Sequence, residues 1–363
     1  MKSNWLFGRN LDLVTLFIPV WLCWAIAFAL PDSNLHSDIP LWVWVVIVIG
    51  IDVSHVWSSI HRTYFDKEEF SNHRRLFITA PILSFVLSFG LAAISVDLFW
   101  RVLAYVAVYH FVKQQFGFMR IYKAKKGDFR PKLIGDNFVI YLSMLYPILY
   151  WHLNPDREFA WFVHGDFLSI ELGAAGLAVF SLVGNLLYIG LLIFWLLEEI
   201  VRNIKMKENL PVGKIFWVMT TAGNWFLGIV WFNSDLVFTI TNVVAHGVPY
   251  LALIIFYQTK KRNVQTSSFS MKRNLRIALV IVSSVFLFAM VEEYLWDMMV
   301  YRENENFFSS ILSYPLELGS AFWQLAAIGL LAVPQVTHYI LDGFIWKNNE
   351  KNPYLKKTLF DQA

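Results

Sequence analysis

Long apolar segments constrain this chain more than any other feature of its sequence. About 20 consecutive apolar residues are enough to cross a hydrocarbon layer of ~30 Å as a helix. Ten segments of roughly this length predict an all-α fold, a polytopic membrane helix bundle with about ten transmembrane helices. They lie near residues 11–30, 41–60, 76–97, 99–118, 136–152, 173–197, 215–232, 235–257, 274–296 and 319–346.

Composition agrees with this fold and limits the chemistry. Of the 363 residues, 57% are hydrophobic and only 16% are charged, which is too apolar for a soluble domain of this length. The single cysteine, Cys23, excludes an intramolecular disulfide and a cluster of thiolate metal ligands. Any metal would therefore be bound by imidazole, carboxylate or amide groups.

The basic residues are concentrated in alternate connecting segments. Most of the 30 Lys and Arg lie near the N-terminus or within 61–75, 119–135, 199–214, 258–273 and 347–357. Because Lys and Arg are enriched on the cytoplasmic side of membrane proteins, both termini are predicted to be cytoplasmic. Neither a linker nor a repeat interrupts the chain, so the sequence predicts one integral membrane domain, residues 1–363.

Four of the predicted helices carry a histidine and a second polar side chain on the same face. Spacings of three or four residues bring two side chains together on a helix. An aspartate within a membrane costs roughly 2.5–3.5 kcal/mol on insertion scales, so such residues usually have a function. The pairs are Asp52 with His55, His110 with Gln114, Asn242 with His246, and His338 with Asp342.

The four pairs occur on even-numbered helices, which run in the same predicted direction, and their histidines lie at mid-depth or in the cytoplasmic half. The sequence therefore predicts that they converge on a site for one or two metal ions, resembling the metal sites in the cores of helix bundles. Imidazole and carboxylate ligands suit iron, with manganese, zinc or copper also compatible. The predicted ligands are Asp52, His55, His110, His246, His338 and Asp342, with Gln114 and Asn242 hydrogen-bonding around them.

These residues also have simpler interpretations. A histidine within a membrane span can be a hydrogen-bonded packing residue, Asp52 can pair with Arg62, and Asp342 can relay protons or accept a bond from Trp346. His61 is kept outside the predicted site, because it follows His55 by six residues and so lies on another face. The sequence leaves open whether it joins.

Short motifs on the same helices resemble those of a known family. Their order is similar to that in bacterial Blh-type membrane carotene-cleaving dioxygenases, and this resemblance implies an intramembrane iron oxygenase while leaving the substrate open. Gln335 stands where that family has a histidine. The chain is also similar to uncharacterised bacterial polytopic membrane proteins that share its RTY, QQ-x-GF, HGVPY and HYxLDGxIW runs. The motifs similar to the dioxygenases are Asp52 with His55, Tyr109-His110-Phe111, Ala245-His246-Gly247, and Val333-Pro334 followed by His338 and Asp342.

The predicted function is that of a non-haem iron oxygenase or oxidase in the inner membrane of a bacterium. An apolar or lipid-like substrate would enter from the bilayer, and Tyr339, Tyr109 and Arg62 are predicted to position its headgroup or pass protons. Membrane lipids and a soluble electron donor at the cytoplasmic face are the expected partners, and nucleic acid is not.

Two other functions fit the same residues. A transporter or channel could use the His/Asp cluster to couple to protons or a metal, and Pro249 and Pro334 could break helices as transporter sites require. A haem-binding electron carrier could use facing histidines as axial ligands. Carboxylates beside the histidines favour a site for a metal ion over one for haem.

Overall fold

The computed structural model describes residues 3–310, 320–347 and 352–360, and its regular secondary structure within these ranges is entirely helical. Ten long helices within these ranges correspond to the ten predicted apolar segments. Some segments extend past the helix ends, as at residues 30, 95, 232 and 346, and residue 319 lies outside the described ranges. The ten helices are α1 Arg9–Ala29, α2 Leu41–Arg62, α3 Arg74–Ile94, α4 Val96–Lys126, α5 Asp136–His152, α6 Gly173–Lys205, α7 Val212–Trp225 continued by Phe226–Trp231, α8 Asp235–Gln265, α9 Met271–Tyr301 and α10 Ala321–Ile345. Four short helices are Asp32–Leu35, Lys67–Asn72, Glu305–Ser309 and Pro353–Leu359.

Seven of these helices are long and apolar enough to cross a membrane, namely α1, α2, α3, α6, α8, α9 and α10. Helix α5 has only 17 residues, and α4 and α7 do not reach the same hydropathy. The chain is thus an all-helical integral membrane protein. The count of ten spans and the cytoplasmic position of both termini stay predictions.

The spanning helices differ widely in burial. Only 11% of the residues in the most apolar 18-residue stretch of α6 are buried, and 17% in that of α9. Leucines such as Leu182, Leu186 and Leu287 therefore face outward. An apolar surface of this kind is stable in contact with lipid. Helix α8 is the most buried of the seven, at 67%, and it carries His246.

The chain divides into two compact units. Unit 1 comprises Met1–Leu41 and Val108–Pro249, and unit 2 comprises Trp42–Ala107 and Tyr250–Ala363. The boundaries fall within α4 and α8, so each of these helices contributes residues to both units. The single membrane domain inferred from the sequence stays a prediction.

In unit 1, α1 and α7 pack closely, and α7 satisfies the indole N–H groups of two half-buried tryptophans of α1. The Trp21 indole N–H donates to Thr220 Oγ1 at 3.0 Å, and the Trp24 indole N–H donates to Asn224 Oδ1 at 3.1 Å. A Cβ atom at Gly223 would lie only 2.8 Å from the Trp24 ring. Glycine at this position therefore permits the close contact between the two helices.

In unit 2, α3 packs against the second half of α10. Phe77 and Ala80 form an apolar cluster with Leu341 and Ile345. The first helical segment of α10 ends at Leu331, and the second segment begins at Val333 with a proline in its first turn. This packing positions the His338 segment within the unit.

Unit 1 also contains a network of buried charges between α5, α6, α7 and the segment before α5. Lys214 Nζ lies 2.6 Å from Asp128, 2.8 Å from Glu199 and 3.5 Å from Asp136. Lys132 pairs with Asp136 and Glu199 as well. Three further cations contact the network, Lys123 against Asp136 at 3.0 Å, and Arg202 at 3.0 Å and Arg130 at 3.9 Å against Asp128. The positive charge around the three carboxylates thus compensates their negative charge.

We expect Lys214→Met to destabilise the protein strongly. Removing one partner from a buried ion pair leaves uncompensated charge and typically costs about 3–5 kcal/mol. Thermal unfolding in detergent measures the loss. Lys205→Met, which removes an exposed cation from α6, is the control and should be nearly neutral. Equal stability of the two variants would show that the network contributes nothing.

The same network predicts a pH dependence at Asp128. Burial alone would raise the pKa of this carboxyl, but Lys214, Lys132 and Arg202 hold its pKa below the ordinary value of 3.8. Since its pKa is lower in the folded state, ionised Asp128 stabilises the fold above about pH 4, and this stabilisation is lost as the pH falls through the folded value. Wild type should therefore be more stable than Asp128→Asn at pH 7, with the difference shrinking below about pH 4. Melting temperatures measured at pH 7, 5 and 3.5 check this, and a difference independent of pH would contradict it.

Candidate metal centre

Two histidines of unit 2 form the centre of a buried cluster. The rings of His55 on α2 and His338 on α10 lie edge to face, with centroids 5.2 Å apart. The Tyr250 ring from α8 contacts both, at centroid distances of 5.9 Å from His55 and 5.0 Å from His338. All three side chains are buried. Residues far apart in the sequence thus meet at one point within unit 2.

Each of these histidines lies beside a carboxylate of its own helix. His55 Nδ1 is 3.5 Å from Asp52 Oδ1, and His338 Nδ1 is 3.9 Å from Asp342 Oδ1. The Tyr250 hydroxyl donates to Asp342 Oδ1 at 2.5 Å, which fixes the orientation of that carboxylate. The structure therefore brings together, within one unit, four of the six metal ligands expected from the sequence. Imidazole and carboxylate groups in this arrangement could hold a metal ion.

The backbone before His55 departs from regular α-helix. Residues Trp44–Val53 form a wider π-helical segment, and ordinary α-helix resumes at Ser54. The Ser54 hydroxyl donates back to the Ile49 carbonyl at 2.8 Å. Such wide turns are rare in proteins, and those that occur often lie at functional sites. Here the segment sets the rotation of α2 at the point where Asp52 and His55 enter the cluster.

Unit 1 holds the other two predicted histidine ligands. His110 on α4 and His246 on α8 are buried, and their ring centroids are 5.0 Å apart. The Phe111 ring stacks on His246 at 3.5 Å with nearly parallel planes, which fixes the imidazole plane. The pair meets as expected within this unit. That both histidine pairs bind the same ion stays a prediction.

A proline explains how α4 is attached to α8 near His246. Pro249 lies inside α8 and has no N–H, so the Ala245 carbonyl loses its usual helical partner. The Gln115 side-chain amide donates to that carbonyl at 3.2 Å, and the Gln114 amide donates to the His246 carbonyl at 2.8 Å. Helix α8 continues through Pro249 without a break. Gln115 thus supplies the hydrogen bond that the proline removes, and Gln114 adds a second bond to the next carbonyl.

Gln114 and Asn242 were expected to hydrogen-bond around the ligands, and their described bonds go to the backbone. Gln114 donates to the His246 carbonyl. Asn242, one turn before His246, donates through Nδ2 to the Phe238 carbonyl of its own helix at 3.0 Å. Gln114 therefore positions His246 through its main chain. The sequence spacing alone could not distinguish a bond to the imidazole from a bond to the carbonyl.

The three residues expected to act on the substrate lie in different environments. Tyr339 is next to His338, and its hydroxyl accepts a bond from Gln335 at 2.8 Å. Tyr109 on α4 is 66% exposed, whereas the adjacent His110 is buried. Of the two, only Tyr339 belongs to a histidine cluster.

Arg62 lies in the interior of unit 2. Its guanidinium is 2.5 Å from Glu69, donates to the Ile345 carbonyl at 3.1 Å and stacks over the Tyr257 ring at 4.1 Å. These contacts hold α2, α8 and α10 together. The geometry thus gives Arg62 a role in packing, and it does not place the guanidinium at a surface where it would meet a headgroup.

Sequence reasoning missed two polar residues of unit 2, Tyr250 and Glu292. Glu292 on α9 is buried and accepts a bond from the Trp57 indole at 2.5 Å, two residues after His55 on α2. The available signals were the Glu292-Glu293 pair within an apolar segment and the position of Tyr250 one helical turn after His246. His61, left open by the sequence, bonds to the Ser284 hydroxyl at 2.9 Å.

A second group of potential ligands occurs in unit 1. The carboxylates of Asp128, Asp136 and Glu199 lie close enough to hold a metal ion. Lys132 and Lys214 already contact all three, however, and their charges occupy the role that a cation would have. This group is therefore better explained as a structural ion-pair network.

Comparison with protein-family models, curated proteins and solved structures finds no match to this chain.

The relation between Pro249 and Gln115 can be tested by a double-mutant cycle. Gln115→Leu leaves the buried Ala245 carbonyl unsatisfied, which should cost about 1–3 kcal/mol of stability. In a Pro249→Ala background the restored N–H can bond to that carbonyl, so Gln115→Leu should cost clearly less. Thermal unfolding of the four proteins measures the coupling.

Thr221→Val is the control for this cycle. It removes the 3.0 Å bond from the Thr221 hydroxyl to Gln115 Oε1 and leaves the Ala245 carbonyl bonded. Its cost should be the same in both backgrounds. Additive effects of Gln115→Leu and Pro249→Ala would contradict the proposed compensation.

Proposed function

We propose that this protein is a membrane-embedded, metal-dependent oxygenase or oxidase, with non-haem iron as its metal and an apolar or lipid-like molecule as its substrate. The observation that carries the proposal is the cluster of unit 2, in which two buried histidines each lie beside a carboxylate of the same helix. Burying an ionisable group in a membrane protein costs free energy, so the groups that occur there usually serve a function.

The donor atoms fit iron better than they fit most alternatives. The cluster offers imidazole nitrogens and carboxylate oxygens, a combination typical of non-haem iron enzymes that leaves positions open for oxygen. Cys23 on α1 is the only cysteine of the sequence, so a site with several thiolate ligands is excluded. The ligands proposed within unit 2 are His55, His338, Asp52 and Asp342. That His110 and His246 bind the same ion stays a prediction from the sequence. A bound iron would supply the redox chemistry with dioxygen.

The surrounding residues have definite tasks in this proposal. Tyr250 donates to Asp342 Oδ1 and so fixes the orientation of that carboxylate beside His338. Phe111, stacked on His246, prevents rotation of that imidazole. Tyr339, adjacent to His338 and bonded to Gln335, is placed to exchange a proton near the cluster. An electron donor would be a soluble protein at the predicted cytoplasmic face.

A transporter coupled to protons or a metal is the second candidate, and one observation favours it. Helix α10 is interrupted at Ala332, six residues before His338. Substrate and ion sites of transporters are often formed at interrupted helices near the membrane midplane. Against this, α8 continues through Pro249, so α8 does not share the interruption of α10.

Metal content separates the two functions. We expect protein purified in detergent without chelators to contain stoichiometric iron by mass spectrometry, because the cluster offers at least four suitable ligands. His338→Ala and His246→Ala should each lose that iron if the two histidine pairs bind one ion. His61→Ala, which removes a histidine bonded to Ser284, should retain it.

Matched melting temperatures and gel-filtration profiles would show that the variants are folded. Protein that contains no transition metal, although metal was supplied during expression, would refute the oxygenase and leave the transporter as the leading function. Iron retained in both alanine variants would show that it binds elsewhere. A Soret band in the visible spectrum would instead indicate haem.

A further inference from the structure

A separate cavity of unit 2 lies away from the histidine cluster. It has a volume of about 500 Å³ and is lined by the end of α2, the last turns of α8 and the first turns of α9. The Gln258 amide donates to the His61 carbonyl at 2.6 Å, and His61 bonds to Ser284 at 2.9 Å. Three helices are thereby connected around the cavity. Its volume is within the range typical of sites for small ligands.

Positive charge predominates in the lining of this cavity. Five cations contribute to it, against two carboxylates, Asp66 and Glu68. Both carboxylates pair with the same lysine, Lys261, at 2.8 and 3.4 Å. The cations are Lys67, Lys261, Arg262, Arg273 and Arg276. The lining therefore has an excess of positive charge after its internal ion pairs are formed.

The arginines differ in how they are used. Arg273 donates to Asn263 Oδ1 at 2.6 Å and so joins the end of α8 to the start of α9. Within the described part of the chain, neither Arg262 nor Arg276 has an ion pair with a carboxylate. Both are exposed at the cavity, and Arg276 follows Arg273 by three residues, on the same face of α9. Arg262 and Arg276 are thus available to a ligand.

The opposite part of the lining is apolar. Ile277, Val280 and Ile281 continue along α9 after Arg276, with Ile281 buried, and Phe65 adds an aromatic ring. A cavity with arginines at one end and an apolar wall at the other suits a molecule that has an anionic group and a hydrocarbon portion.

We propose that this cavity binds a phosphate group, carried by a membrane lipid or by a soluble phosphate compound. Arginine suits this ligand because its planar guanidinium forms paired hydrogen bonds with phosphate oxygens. These arginines lie in or beside a segment predicted to be cytoplasmic, and basic residues close to that membrane surface attract anionic lipid headgroups. The apolar wall would contact the acyl chains of a lipid. This inference does not depend on the proposed metal or on its chemistry.

The test measures binding of two probes to the purified full-length protein in a neutral detergent and a phosphate-free buffer. The probes are a short-chain phosphatidic acid and inorganic phosphate, and isothermal titration gives their affinities. The double variant Arg262→Gln with Arg276→Gln removes the two available arginines. We expect its affinity to fall by about fivefold for each cation removed.

The matched control is Lys260→Gln with Lys272→Gln. These lysines are exposed, lie on the same two helices and do not line the cavity, so the control removes equal charge close by. It should change affinity by less than about twofold if binding is local, since exposed charges are screened within roughly 8–10 Å. Melting temperatures confirm that both double variants are folded.

The two probes identify the source of the phosphate. Tight binding of phosphatidic acid with weak binding of inorganic phosphate would assign a lipid, whereas similar affinities would assign a soluble phosphate compound, and either result supports the site. Absence of binding by both probes would overturn it. An equal loss of affinity in the control variant would also overturn it, because binding would then reflect only the general surface charge.

Discussion

The structure depends first on the requirement that every backbone N–H and C=O in an apolar environment have a hydrogen-bond partner. Helices meet this requirement within a single segment, and the described chain accordingly contains helices and no strands. The requirement is most demanding where a helix is disturbed. At Pro249 the Ala245 carbonyl loses its donor, and Gln115 of another helix supplies one. A local defect in α8 thus becomes a specific attachment between α4 and α8, next to His246.

Buried charge is handled in two different ways in the two units. In unit 1, Lys214 and Lys132 surround three carboxylates, so opposite charges compensate one another directly. Complete compensation of this kind suits a structural role. In unit 2 the carboxylates of Asp52 and Asp342 lie beside imidazoles, and Asp342 also accepts a bond from the Tyr250 phenol. A cluster of imidazole and carboxylate donor atoms is suited to a metal cation, whereas the carboxylates of unit 1 are already paired with lysines.

Unit 2 uses its arginines for opposite purposes at different depths. Arg62 is fully enclosed by Glu69, the Ile345 carbonyl and the Tyr257 ring, and so stabilises the junction of α2, α8 and α10. Arg262 and Arg276 lie at an open cavity with an apolar wall. A headgroup function assigned to Arg62 from sequence position is therefore better sought at the cavity, because a ligand can reach only the residues that the packing leaves accessible.

The sequence by itself determined the helical membrane class, the positions of the long helices and the placement of each histidine one turn from a polar residue of its own helix. These follow from local rules, since apolar length and the period of 3.6 residues act within a single helix. Tertiary structure decided which side chains meet. It placed Tyr250 against both His55 and His338, directed Gln114 to a carbonyl instead of an imidazole, left Tyr109 exposed and enclosed Arg62. It also brought Glu292 to Trp57 from a helix that the pattern of histidines had not drawn attention to. Such contacts depend on the rotation of each helix and on the packing of its neighbours, and a π-helical segment or a buried proline alters both without changing the sequence pattern that predicts the helix.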